Sequence, residues 1–109
     1  MKPNSVRILG KQYSIEYCDK PSDVDILHYK SLWGQIDHWT TSIRIYDKDR
    51  QVEDIWGTLW HEILHGIDDV LHLGIYKELG DDTIDLLGMA ISDVLFRNDW
   101  IKNNETENS

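Results

Sequence analysis

Between Val52 and Val70 the apolar residues Val52, Ile55, Leu59, Ile63, Ile67 and Val70 return at helical spacing. Such a stripe demands a long helix with one face buried, so the rest of the chain must supply a surface to cover it. Asp47-Lys48-Asp49 offers caps at its start, Glu53 and Asp54 lie near its positive end, and Leu73-Gly74 ends it.

The covering surface is expected upstream, where the pattern changes from helical to alternating. Val6 to Leu9 and Tyr13 to Tyr17 read as two strands with Gly10-Lys11 turning between them. Asp19 to Asp25 reads as a loop and Leu32 to His38 as extended chain. A turn at Trp39-Thr40-Thr41 then leads into a strand from Ser42 to Tyr46, with Ile43 and Ile45 on one face. Downstream, a second helix is expected from Asp81 to Arg97, with Ile84, Leu87, Ile91, Val94 and Leu95 inward. The fold class is α+β: a small antiparallel sheet packed on the first helix, with the second helix C-terminal to it. A chain of 109 residues holds one core. A single domain is expected over 1–101, followed by a flexible polar tail over 102–109.

Bulk properties remove several functions. A net charge of −9 argues against nucleic-acid binding, which needs clustered Lys and Arg on phosphates. Cys18 is alone, so no internal disulfide is expected. Met1-Lys2-Pro3-Asn4-Ser5 lacks an apolar signal region, and no apolar run reaches membrane-spanning length. A cytoplasmic protein without membrane contact is the expectation. The five tryptophans are expected to serve packing, with Trp60 able to wall a cleft beside its neighbour His61.

The chemistry lies inside the long helix, at His61-Glu62-Ile63-Leu64-His65. A helix turns about 100° per residue, so imidazoles four positions apart sit about 40° apart on one face. Both can reach one tetrahedral ion, away from the centre of the apolar stripe. Glu62 points to the flank of the pair, where it can reach water without binding the metal. Zinc lowers the pKa of bound water from near 15.7 to about 7, so Glu62 can take its proton as general base. The water attacks a peptide carbonyl polarised by the same ion, and Glu62 passes the proton to the leaving amine.

A catalytic zinc takes three protein ligands and keeps a fourth position open. A collagenase-like site is disfavoured. It would need a histidine six residues after His65 with a glycine between, whereas His72 is seven residues on and Asp68 stands in the glycine's place. His72 shares the His61/His65 face and remains a fallback ligand.

Thr58 to Ile67, Asp81 to Leu87 and Val94 to Asn98 resemble small phage and prophage metallopeptidases similar to the ImmA/IrrE group of zinc peptidases. Ile8 to Tyr13 and Ile43-Arg44-Ile45 share the resemblance, which covers roughly residues 5 to 98. It implies a minimal zincin-like domain in which a carboxylate after the motif helix completes the metal site. That ligand falls on Asp81, and a residue orienting a ligand histidine falls on Asp85. The family's ligand is a glutamate, one methylene longer, so Asp82 and Glu78 stay open beside Asp81, as does His72. Asp81 lies on the same helical face as Ile84, Gly88 and Ile91; its other natural job is to cap the helix. The resemblance also implies that the strand from Ser42 to Tyr46 exposes an edge for an extended peptide. A group must stabilise the oxyanion, with Tyr46, Tyr76 and His72 as candidates.

The leading expectation is a zinc metallopeptidase acting on a protein or peptide substrate, with a repressor or other regulator implied by the resemblance. The alternative is a non-catalytic binding module stapled by zinc, which a closed four-ligand site would favour. A third reading is an acidic decoy for a basic partner, which tight metal binding would exclude. Oligomeric state and cleavage preference are not encoded in any motif.

Overall fold

Leu9 and Gly10, both at positive φ, make the tight turn that pairs β1 (Ser5–Ile8) with β2 (Lys11–Cys18) in antiparallel register. Left-handed conformations at both central residues give the turn a twist that matches the strands it joins. The computed structural model describes residues 2–101; the tail expected over 102–109 lies outside the described residues.

After β2 comes one helical turn, α1 (Pro21–Val24), where a loop was expected. Proline at its start presets a helical φ, and the fully buried Val24 anchors it. The chain then forms β3 (Gly34–Asp37) and β4 (Ser42–Tyr46), an antiparallel hairpin, so the sheet order is β1-β2-β4-β3. β2 and β4 run parallel. The sheet is therefore mixed rather than antiparallel, because α1 and β3 act as the crossover that a parallel pair requires. The same order corrects the expected substrate edge. β4 is bonded on both sides and offers none, whereas β3 is an edge strand of the sheet.

The long helix α2 (Val52–Leu71) lies across the sheet. Ile55, Leu59 and Ile63 bury their side chains against Ile8, Tyr13, Ile15, Ile43 and Ile45. Each such side chain contributes about 1.5–3 kcal/mol by leaving water. Val70, expected in this stripe, is exposed because α2 outruns the sheet there. The helix starts without a side-chain cap. Asp49 instead takes a left-handed turn, and Arg50 ties the entry by donating to Tyr46 O at 2.7 Å and Asp54 O at 3.2 Å.

At its far end His72 adopts a left-handed conformation, and α3 (Ile75–Leu79) turns the chain back. α4 (Asp81–Arg97) packs on the side of α2 away from the sheet. Its buried positions are Ile84, Gly88, Ser92 and Phe96. Leu87 and Val94, expected inward, are exposed: the buried face runs instead through Ile84, Gly88, Ser92 and Phe96, where Gly88 and Ser92 allow close approach to α2 between two large apolar anchors. The tryptophans divide likewise. Trp56 and Trp60 pack against the core, whereas Trp33, Trp39 and Trp100 are exposed. Among the described residues no helix is long and apolar enough to cross a membrane.

Candidate metal centre

His61 and His65 project from α2 toward the first turn of α4, with ring centroids 4.9 Å apart. Asp81 opens that helix, and a single carboxylate oxygen meets both rings. Its Oδ1 lies 3.1 Å from His61 Nε2 and 2.7 Å from His65 Nε2. The ligand atoms of these three residues all lie within 4.8 Å of one another. Tetrahedral ligands about 2.0–2.1 Å from one zinc ion stand about 3.3 Å apart, so the cluster is of the right size for one ion once the Asp81 oxygen moves outward from the two rings. Two imidazole nitrogens and one carboxylate oxygen also suit zinc chemically.

Two structural details put Asp81 in place. Gly88 is the first: a Cβ there would lie 3.1 Å from His61 N and 3.2 Å from Gly57 O, so any larger residue would push the backbones of α2 and α4 apart by a few tenths of an ångström. Asp68 is the second. Its buried carboxylate accepts the N–H groups of Ile75 at 2.9 Å and Tyr76 at 3.0 Å, fastening α3 to α2 just before α4 begins. Those backbone hydrogen bonds hold its carboxyl below the usual range. Gly80, not Asp81, occupies the N-cap position of α4, so the capping role weighed for Asp81 falls away.

Asp85, one turn further along α4, lies 3.1 Å from His61 Nδ1. A carboxylate there selects the tautomer with a proton on Nδ1 and a free lone pair on Nε2, which faces the cluster. Asp82, Glu78 and His72 do not join the group that could hold an ion. Of the oxyanion candidates, Tyr76 sets its ring edge-on to His65 at 5.2 Å between centroids. Tyr46 packs against Trp33 instead, and His72 caps the exposed end of α2.

Glu62 is the buried member of the site, only 7% exposed. Gly34 makes room for it, because a Cβ on that edge-strand residue would sit 3.0 Å from Glu62 Oε2. Burial pushes the Glu62 carboxyl up to about 7; Asp81 adds to the rise and His61 opposes it. A carboxylate poised near neutrality is well matched to accepting and returning a proton.

A cleft of about 750 Å³ opens beside His61 and Glu62, between β3, the N-terminal half of α2 and α4. Trp33 walls it, not Trp60, whose indole is turned to the core. Arg50 lines it too, with its guanidinium 4.2 Å from the Trp33 ring centroid and donating to Thr58 Oγ1 at 2.8 Å. Gly34, Arg50 and Gly57 belong to the site without having been expected there, and Gly88 was expected only as a position on the Asp81 face. A glycine within a helical pattern is a visible signal at 57 and 88; Gly34 and Arg50 carry none. Comparison with protein-family models, with curated proteins and with solved structures finds no match for this chain.

Proposed function

We propose that this chain is a zinc-dependent metallopeptidase, related to the ImmA/IrrE group, that hydrolyses a peptide bond with Glu62 as general base. The observation that carries this reading is the convergence of His61, His65 and Asp81 from two helices, with a buried, proton-ready Glu62 beside them. An ion bound there supplies Lewis acidity and makes water acidic enough to lose a proton near neutral pH.

Each residue then has one task. His61, held by Asp85, would offer Nε2 to the ion, as would His65, and Asp81 would offer a carboxylate oxygen. Glu62 takes the proton of the attacking water and returns it to the leaving amine. Three protein ligands would match a catalytic rather than a closed structural zinc site. The substrate is a protein or peptide, and a regulator is the target that the family resemblance implies.

Zinc per chain, measured on metal-exchanged protein, tests the site; cleavage of a peptide library by wild type and Glu62→Gln tests the chemistry. One ion per chain is expected, with Glu62→Gln retaining it and losing about 10²–10⁴-fold in rate. A chain that stays empty overturns the site. Zinc without cleavage by the wild type would favour the zinc-stapled binding module.

A further inference from the structure

Gly57 sits inside α2, where glycine is less favourable than alanine. At Gly34 and Gly88 an added Cβ would meet atoms at 2.8 Å and 3.1 Å, so packing accounts for both. At Gly57 it would meet nothing within 4 Å. Gly57 lines the cleft beside His61 and Glu62, and what the missing side chain leaves is open cleft.

The walls of that space have a definite chemistry. Trp33 and Met89, both more than half exposed, offer apolar sides to a flexible chain. Glu53, Asp54 and Asp93 stand at the far end, about 10 Å along α2 from His61. That depth suits the longest side chains. Arg50 is the cation of the wall; its Nη atoms already donate to Tyr46 O, Asp54 O and Thr58 Oγ1 and its guanidinium is covered by Trp33, while its buried Nε has no partner among the described residues. Arg97 is shared between Glu53 at 2.8 Å and Asp93 at 3.2 Å, leaving the exposed Asp54 outside that contact. The surplus of carboxylate agrees with the net charge of −9. Independently of these acids, the buried Glu62 faces the same cleft without a hydrogen-bond partner among the described residues.

We propose that the Gly57-floored cleft is a substrate subsite that takes a lysine or arginine side chain, its stem along Trp33 and Met89 and its cation among Asp54, Glu53 and Asp93. This rests on the peptidase reading for the position of the scissile bond, but not for the binding itself.

The test measures affinity of zinc-loaded protein for three peptides that differ at one residue: lysine, norleucine or glutamate. Wild type is compared with Gly57→Leu, which fills the cleft, and with Asp54→Asn, which leaves its shape intact. Lysine is expected to bind about tenfold more tightly than norleucine at low salt, with glutamate weakest. Gly57→Leu should abolish this ranking and Asp54→Asn should flatten it, with zinc content and melting temperature retained. Equal affinities, a preference for glutamate through Arg50, or no peptide binding would each overturn the proposal. Lysine-selective binding of a peptide that wild type leaves intact would keep the subsite and remove the peptidase reading, so the two fail separately.

Discussion

The two long sides of α2 are built on opposite principles. Toward the sheet it presents Ile55, Leu59 and Ile63 to a buried cluster of isoleucines and Tyr13. Toward α4 it presents Gly57, His61 and His65 to Gly88, Asp85 and Asp81. The first side gains from area removed from water and accommodates a polar group only when it is paired, as the Tyr13 hydroxyl is with His38 Nδ1 at 2.7 Å. The second gives up apolar contact for close backbone approach and convergent polar atoms. One helix thus serves as keel on one side and as workbench on the other, and the rigidity of the first sets the accuracy of the second.

The largest effect expected from breaking the contrast is on the sheet side. Leu59→Ala removes a side chain only 1% exposed and should cost about 3 kcal/mol of unfolding free energy, whether or not zinc is present. Urea denaturation measures this, and a cost that zinc abolishes would show that the two sides are not separable.

A comparable but pH-dependent effect belongs to Glu62 in metal-free protein. Burial raises its folded-state pKa to about 7 from an ordinary 4.5, so the folded chain holds the proton more tightly than the unfolded chain. Its stabilisation is complete below pH 4.5 and lost as pH rises through about 7, a change of roughly 3 kcal/mol. Denaturation midpoints from pH 4 to 8 should fall, and Glu62→Gln should flatten that decline. A slope unchanged by the substitution would mean that Glu62 titrates as an ordinary surface acid.

The smallest effect sharpens the comparison. Gly88→Ala introduces a Cβ against fixed backbone at 3.1–3.2 Å, which should cost about 1–2 kcal/mol and weaken zinc binding by prising α4 from α2. Zinc titration and thermal melts of this one variant read both consequences. Unchanged zinc affinity would show that Asp81 reaches the histidines without the close helix contact.

Much of this was visible in the chain before folding. The apolar period set the length and buried face of α2, the alternation of Ser42 to Tyr46 placed Ile43 and Ile45 inward, and the bounds of the last helix were readable from Asp81 to Arg97. The spacing of His61, Glu62 and His65 defined one face because helical geometry is local. Less visible was anything that depended on which surfaces meet. Leu87 and Val94 look like core residues by composition, yet α4 buries the face through Ile84, Gly88, Ser92 and Phe96. The antiparallel sheet was the simpler inference from short strands, and the crossover through α1 and β3 overrode it.

What the sequence determined by itself is periodic and short-range: the two long helices, the strand faces, and the pairing of two imidazoles one turn apart. Tertiary structure alone decided the rest. It brought Asp81 and Asp85 to histidines some twenty residues earlier, made β3 an edge strand rather than β4, and buried Glu62 beneath Gly34. The physical reason is that local backbone preference acts over a few residues. The distance between two helices is set instead by the side chains at their crossing, and at this crossing Gly88 presents none.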